Sequence, residues 1–442
     1  MGERARVVAL RVTVAALLLV GLLGLAVVEE PFDGTVDLPG TRAGRQLEWV
    51  LHALVQPPAE GDLANRFNAA FLEAVPPPQL LAVLKQVGGE GPFTVTAVER
   101  SLEHSLVVLL KGTTKRFRTS IEVEPEPPHR IAVLGFQSPT SPYGPVNSWG
   151  ALDARLRNAA PEVGFLAAEI SRGTCRPVHA VEPDTSLSLG SVFKLYVLGA
   201  AAEAVRSGRL KWDTEIEVRD EARVHTSART AEMDNNQPVA LEELATHMIE
   251  VSDNTATDLV LDAVGREAVE AEQAKLGMAE PERNIPFLTT RELSLLKFVQ
   301  PSRVEEYLSL DLAARRRFLA VQLALRPALV EDLQFAPLPV AVDTLEWFAS
   351  AADLCRVHVA LQAQGKTARD IVGRNPGVYF GPDAEYVAFK GGSEPGVLAG
   401  SWYVEHRDGR RFAISILLRN KDGSIDTTAL SVAADAFRLA AG

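Results

Sequence analysis

Cysteine is almost missing from this 442-residue chain, which has only Cys175 and Cys355. Two thiols exclude a disulfide framework and a cysteine-built zinc site, and allow at most one bond, which the sequence leaves open. Excess positive charge is missing too. Lysine and arginine total 45 against 57 acidic residues, a formal net charge of −12. Such a chain has no overall attraction for a phosphate backbone, so no nucleic-acid partner is expected. No His-Glu-x-x-His pair or other ligand spacing occurs, so neither a metal nor a cofactor is expected. Internal repeats and low-complexity tracts are lacking. The rest is ordinary globular composition, 47% hydrophobic and 23% charged. At roughly 150 residues per domain, the length allows up to about three domains.

One long apolar run is present. Arg4, Arg6 and Arg11 precede the uncharged stretch Val12 to Val28, which Glu29 and Glu30 end. Its length lies between that of a signal segment and that of a membrane span. Gly24-x-Ala26 is a poor cleavage site, so secretion and a retained membrane anchor are both open. Basic residues ahead of the run place the N-terminus inside and the bulk outside. Residues 1–30 therefore read as a signal peptide or anchor of an exported protein.

A first region spans residues 41–137. Leu47, Val50, Leu51 and Leu54 recur at helical spacing; Phe67, Phe71 and Leu72 suggest a second helix, and Leu80, Leu81 and Leu84 a third. The period then drops to two, with strands expected over Phe93 to Val98, Ser105 to Leu110, Arg116 to Val123 and Arg130 to Phe136. Helices followed by antiparallel strands make a small α+β domain. No catalytic constellation lies in it. Residues 138–148 (SPTSPYGPVNS) read as a linker.

The remainder, residues 149–442, opens with a helix and two strands, Gly164 to Ser171 and Arg176 to Val181. It closes with Tyr386 to Lys390, Leu398 to Glu405 and Phe412 to Leu418, then a helix from Thr427. Strands at both ends with helices between them imply one sheet built from distant segments.

Three motifs carry chemistry. Ser191-Val192-Phe193-Lys194 is a Ser-x-x-Lys at the start of an apolar helix, where negative charge is favoured and Lys194 lies one turn from the hydroxyl. A second Ser-x-x-Lys, Ser294 to Lys297, lies inside a helix opened by Thr289 and reads as a solvated face. Ser252-Asp253-Asn254 joins two amphipathic helices, Leu241 to Val251 and Thr255 to Val264; a helix-capping turn is its plainer use. Lys390-Gly391-Gly392-Ser393 follows a strand-like run and, taken alone, is a strand-ending glycine turn.

Together and in this order the motifs resemble those of class A β-lactamases and penicillin-binding proteins. The segment Leu241 to Gly265 reads much like class A enzymes as well. The two-part layout is similar to β-lactamase-like proteins of the type found in the clavulanate gene cluster, where a cystatin-like α+β domain comes first. The resemblance implies an α+β fold, a five-stranded antiparallel sheet with helices around it, preceded by that small domain. It implies a serine hydrolase with Ser191 as nucleophile, Lys194 as base and an acyl-enzyme on a β-lactam, amide or ester. Ser252 would relay a proton to the leaving group, and Asn254 would hold Lys194 or substrate. The Ser191 and Ser393 amides would form the oxyanion hole. Lys390 would supply the second positive charge that keeps Lys194 neutral.

Two departures stand out. The family's Lys-Thr-Gly is here Lys390-Gly391-Gly392, so a hydroxyl that grips substrate is replaced at best in part by Ser393. Glu280-Pro-Glu-Arg-Asn284 matches the class A deacylation string, but its loop is short. Glu280 is either the deacylating base or, as the spacing favours, a solvated carboxylate. His225, in the loop before Ser252, reads as a packed or surface residue, with a place facing the cleft as the sharper alternative, and residues 301–339 as a packed helical insertion or a lid. The expected partner is a small-molecule or cell-wall-derived substrate. A D-Ala-D-Ala-type peptidase or esterase, and a penicillin-binding module without turnover, are the rival readings.

Overall fold

The structure is a computed structural model; it describes residues 35–101, 103–137, 146–224, 229–230, 233–323, 338–378, 380–381 and 383–442. The proposed signal or anchor, most of the proposed linker, and His225 lie outside the described residues. Among those described, no helix is long and apolar enough to cross a membrane. The chain divides into two compact units, residues 1–144 and 145–442.

In the first unit, helices α1 (Arg42–Val55) and α2 (Pro77–Gly88) precede four strands, β1 (Thr94–Ser101), β2 (Ser105–Lys111), β3 (Arg116–Val123) and β4 (Ile131–Gln137). The Thr41 side chain caps α1 by accepting from Gly44 N at 3.0 Å. The strands form an antiparallel meander in chain order. Period two turns Thr119, Ile121 and Val123 inward and leaves Glu122 exposed. Leu47, Val50 and Leu54 of α1 share a core with Leu106, Val108, Leu110 and Ile121.

The second unit is built on β5 (Glu162–Ser171), β6 (Thr174–Val181), β9 (Ala384–Glu394), β10 (Val397–His406) and β11 (Arg411–Arg419), with short strands β7 (Leu187–Ser188) and β8 (Phe348–Ala349) paired with each other. The main sheet runs β9-β10-β11-β5-β6, and every pair is antiparallel. Strands from both ends of the unit thus share one sheet, as their positions in the chain imply. Helices α3 (Trp149–Ala159) and α11 (Val432–Ala441) cover one face, burying Phe165, Trp402, Phe412 and Phe437. The other face carries the larger core and the helices that shape the site.

Central among those is α4 (Lys194–Arg206), in which every residue from Lys194 to Ala202 is buried. A helix apolar on every side belongs in a core. Around it lie α5 (Leu241–Glu250), α6 (Asn254–Val264), α7 (Arg266–Lys275), the short α8 (Thr290–Ser294), α9 (Ala351–Gln362) and α10 (Lys366–Val372). Cys175 on β6 is bonded to Cys355 on α9. Within the expected insertion, residues 301–323 form short helices that bury Tyr307, Phe318 and Leu323 in this core.

Two expectations need correction. Lys390 to Ser393 does not end a strand: β9 continues through it to Glu394 in unbroken register with β10. Glycines suit this stretch because backbone of the Gly190 turn packs directly against it. The Ser294–Lys297 face is not solvated either. Ser294 is half-buried, and Lys297 is wholly buried where the helix loosens into a π-helical stretch, Leu295–Val299. Two carboxylates from distant segments draw the lysine inward.

Candidate active site

The site forms where the start of α4, the turn between α5 and α6, and β9 meet. Gly190 opens a tight 3-10 turn, Gly190–Phe193, and takes φ +46°, a left-handed value that glycine adopts without a side-chain clash. Ser191 lies in this turn and Lys194 begins α4 behind it. The turn is held from below: Leu189 N donates to Trp347 O at 2.8 Å, and the Phe193 and Trp347 rings stack 3.7 Å apart.

The α5–α6 turn delivers Ser252 and Asn254. Asp253 caps α6, accepting from Ala256 N at 2.9 Å on one oxygen and from the Arg229 and Thr230 amides at 2.9 and 2.8 Å on the other. The capping use of the tripeptide is therefore real, and it falls on Asp253. Anchored this way, the turn holds Ser252 at φ +59°, an uncommon conformation for a residue with a side chain.

Lys194 Nζ donates to Asn254 Oδ1 at 2.6 Å, to Ser252 O at 2.7 Å and to Ser252 Oγ at 3.1 Å. From the other side, Lys390 Nζ donates to Ser252 Oγ at 3.0 Å and to Gly391 O at 2.7 Å. Ser252 Oγ thus lies between the nitrogens of two buried lysines. Among the described residues, no side chain hydrogen-bonds Ser191 Oγ, so the lysine's partners in this resting arrangement are Ser252 and Asn254.

Burial and the nearby charge of Lys390 hold Lys194 well below the usual lysine range, against the opposing pull of Asp253 and Asp258. Its place at a helix start, where cations are disfavoured, acts in the same direction. Burial lowers Lys390 to about 7. Lysines depressed in this way can be neutral near physiological pH and then accept protons.

The glycines of β9 bring the two expected oxyanion amides together. A Cβ on Gly392 would stand 2.5 Å from Ser191 N and closer still to Leu189 O; one on Gly190 would stand 2.9 Å from Ser393 N. Backbone meets backbone there, and only paired glycines allow it. Gly391 is restricted differently, since a Cβ on it would lie 2.8 Å from the Phe389 ring. Ser393 itself is exposed.

The Glu280 side chain is 54% exposed and its carboxylate lies 3.9 Å from Arg283. Asn284 of the same string is buried and serves the backbone of β8, donating to Phe348 O at 3.0 Å and accepting from Phe348 N at 2.8 Å. Two residues not signalled by the motifs also shape the site. Asp258, which burial raises to about 7, accepts from Thr290 N and Oγ1 at 2.7 Å, tying α8 to the helix that carries Asn254. Trp347 supports the Ser191 turn. Asp258 lies one helical turn beyond Asn254, which is the only hint the sequence offers; Trp347 is 156 positions from Ser191 and offers none.

Residues 149–306 match a family model described as the β-lactamase enzyme family, and residues 38–126 match one described as the N-terminal part of the ORF 12 gene product. No curated protein matches the chain. Similar solved structures include a PBP-A variant captured as an acyl-enzyme with penicillin G, 17% identical, covering 67% of this chain and 98% of that one, with a TM-score of 0.43. A β-lactamase from Sphaerobacter thermophilus is 20% identical, covering 67% and 96%, with a TM-score of 0.44. One from Burkholderia phymatum is 15% identical, covering 66% and 96%, with a TM-score of 0.46. The second unit has a β-lactamase-like fold, a five-stranded antiparallel sheet with helices around it.

Proposed function

We propose that the second unit is a serine hydrolase that forms an acyl-enzyme on Ser191 from a β-lactam, amide or ester. The observation that carries this reading is the convergence of two buried lysines on Ser252 Oγ beside the Ser191 turn. In the proposed reaction, neutral Lys194 takes the proton of Ser191 Oγ as that oxygen attacks the carbonyl carbon. The negative charge that develops on the carbonyl oxygen is met by the Ser191 and Ser393 amides. Ser252 passes its proton to the departing nitrogen or oxygen and regains one from the Lys194 ammonium, which donates to its Oγ. Asn254 fixes the Lys194 ammonium, and Lys390 keeps its proton affinity low. Gly391 lacks the family's hydroxyl, which favours substrates that do not depend on that grip.

The exposure of Glu280 favours a second feature, a long-lived acyl-enzyme, over rapid β-lactam turnover. A D-Ala-D-Ala-type peptidase or esterase and a penicillin-binding module without turnover share the acylation step and differ in the fate of the acyl group. Intact-protein mass spectra over time, after exposure to a penicillin and to an aryl ester, test the reading. We expect an adduct on the wild-type chain that outlasts mixing. Spectra free of any adduct at every time, with substrate unconsumed, would contradict it.

The lysine chemistry gives a pH prediction. Acylation is expected to fall as pH drops through the depressed proton affinity of Lys194, because the base becomes charged. Removing Lys390 removes like-charge repulsion, so Lys390→Ala moves the midpoint to higher pH. The rate of adduct formation across roughly pH 5 to 10 measures this, an interval spanning the range of depressed lysines. A midpoint that stays put or moves down contradicts the assigned role.

We also propose that the protein is exported, as a secreted or membrane-anchored form on the outer face of the cytoplasmic membrane. Support comes from the basic-then-apolar N-terminus and from the bond between Cys175 and Cys355, since disulfides persist mainly in oxidising compartments. Alkylation of thiols in intact producing cells before lysis is expected to leave both cysteines unlabelled. Free thiols on the folded chain would oppose export.

A further inference from the structure

Below the Ser191 turn lies a charged cluster that the acylation chemistry does not use. The Lys297 side chain is completely buried, and its Nζ stands 3.2 Å from Glu346 Oε1 while pairing also with Glu394 Oε1. Glu346 is equally buried, and its second oxygen accepts from Trp347 N at 3.0 Å. Burial, followed by the charge of Glu346, holds the Glu394 carboxyl well above the usual carboxylate range. Lys297 is held above its ordinary value, the two carboxylates outweighing the effect of burial.

Buried ion clusters seldom hold a fold together better than apolar side chains of the same size. The position of this one in the chain suggests another use. Glu394 directly follows Ser393, and Glu346 directly precedes Trp347, whose carbonyl holds Leu189 N and whose ring stacks on Phe193. A continuous path thus runs from the Ser393 amide through Glu394, Lys297 and Glu346 to Trp347, and back up the Leu189–Ser191 turn. Its two ends are the two oxyanion donors. Lys297 also lies in a π-helical stretch, a departure from α geometry that is frequent at functional sites.

We propose that Lys297, Glu346 and Glu394 are positioning residues that set the spacing of the Ser191 and Ser393 amides; this rests on the reading of Ser191 as the acylated nucleophile. None of the three touches substrate. They act by fixing β9 against the Ser191 turn, so that both amides point at the position the carbonyl oxygen reaches in the transition state. Losing that spacing weakens transition-state binding and leaves the initial complex with substrate unchanged.

The test uses the full chain and a chromogenic cephalosporin, with the maximal acylation rate and the half-saturating concentration measured separately. Glu394→Ala is expected to lower the maximal rate about 10- to 100-fold, below or at the loss typical of a deleted oxyanion donor. The half-saturating concentration should stay within about twofold, as expected when only transition-state interactions are lost. Glu394→Gln keeps a neutral hydrogen-bonding group and should retain the rate within about threefold. The paired change Lys297→Met with Glu346→Gln should match Glu394→Ala; should it not fold by circular dichroism, the two Glu394 variants decide. Wild-type rate in folded Glu394→Ala, or equal losses in the Ala and Gln variants, overturns the proposal alone. Absence of any Ser191 adduct on the wild-type chain overturns the hydrolase reading and the proposal together.

Discussion

Ser191→Ala is expected to abolish covalent labelling by a β-lactam or a fluorophosphonate. Ser191 is the serine that stands at the helix start, three residues before the buried Lys194 and packed by its backbone against Gly392. A serine hydroxyl is a weak nucleophile without a base nearby. The loss should therefore be complete, with the melting temperature little changed, since Ser191 is only partly buried and its hydroxyl holds no side chain among the described residues. Lys194→Ala should slow acylation by about 10²- to 10⁴-fold, the usual contribution of general-base assistance. Ser294→Ala is the control. It removes the other Ser-x-x-Lys serine, whose lysine is engaged with Glu346 and Glu394, and should leave labelling intact. Gel fluorescence with a labelled penicillin reads all three variants side by side.

Gly392→Ala is expected to be nearly as damaging, although it removes no functional group. The added Cβ would press on Ser191 N at 2.5 Å, on Gly190 C at 2.8 Å and on the Leu189 carbonyl. All three are backbone atoms of the Ser191 turn, so no side chain can swing aside. Relief has to come from separating β9 from the turn, which pulls the Ser393 amide away from its partner. Loss of one oxyanion donor typically costs about 10²- to 10³-fold in rate, and a similar fall in acylation is expected here. Gly409→Ala is a useful contrast: that glycine has φ +87° in an open hairpin and no atom near its Cβ position. It should cost some stability through backbone strain and leave the acylation rate unaffected. Stopped-flow acylation together with thermal melting separates the two effects; an unimpaired Gly392→Ala variant would show that the amide pair is not the oxyanion site.

Much of the sheet is legible in the sequence because its strands are short, apolar and bounded by turns. Phe412 to Leu418 and Leu398 to Glu405 fall within a residue or two of the strands β11 and β10. Ser252-Asp253-Asn254 is legible for a local reason: a capping aspartate between two amphipathic helices specifies a turn whatever surrounds it. What local pattern does not encode is the partner supplied by a distant segment. Lys297 reads as a solvated lysine because its carboxylates lie 49 and 97 positions away. Lys390 to Ser393 reads as a turn because paired glycines usually break strands, and the reason they do not is the Gly190 backbone lying against them. The same limit applies to Glu280, whose string matches a catalytic motif while its side chain is largely exposed beside Arg283. Asn284 of that string is buried for a structural purpose, clamping Phe348. The left-handed φ of Ser252 leaves no trace in the sequence at all, since it is imposed by the hydrogen bonds that anchor Asp253.

Acylation of Ser191 through the Lys194–Ser252–Lys390 cluster is the step on which the proposed function rests. Peptide-level mass spectrometry after brief exposure to a penicillin and to an aryl ester tests it most directly. An added acyl group is expected on the peptide containing Ser191, formed faster as pH rises through the depressed proton affinity of Lys194 when the rate is followed from about pH 5 to 10. An adduct carried by any other serine, or one whose rate of formation on Ser191 is indifferent to pH over that interval, would contradict it.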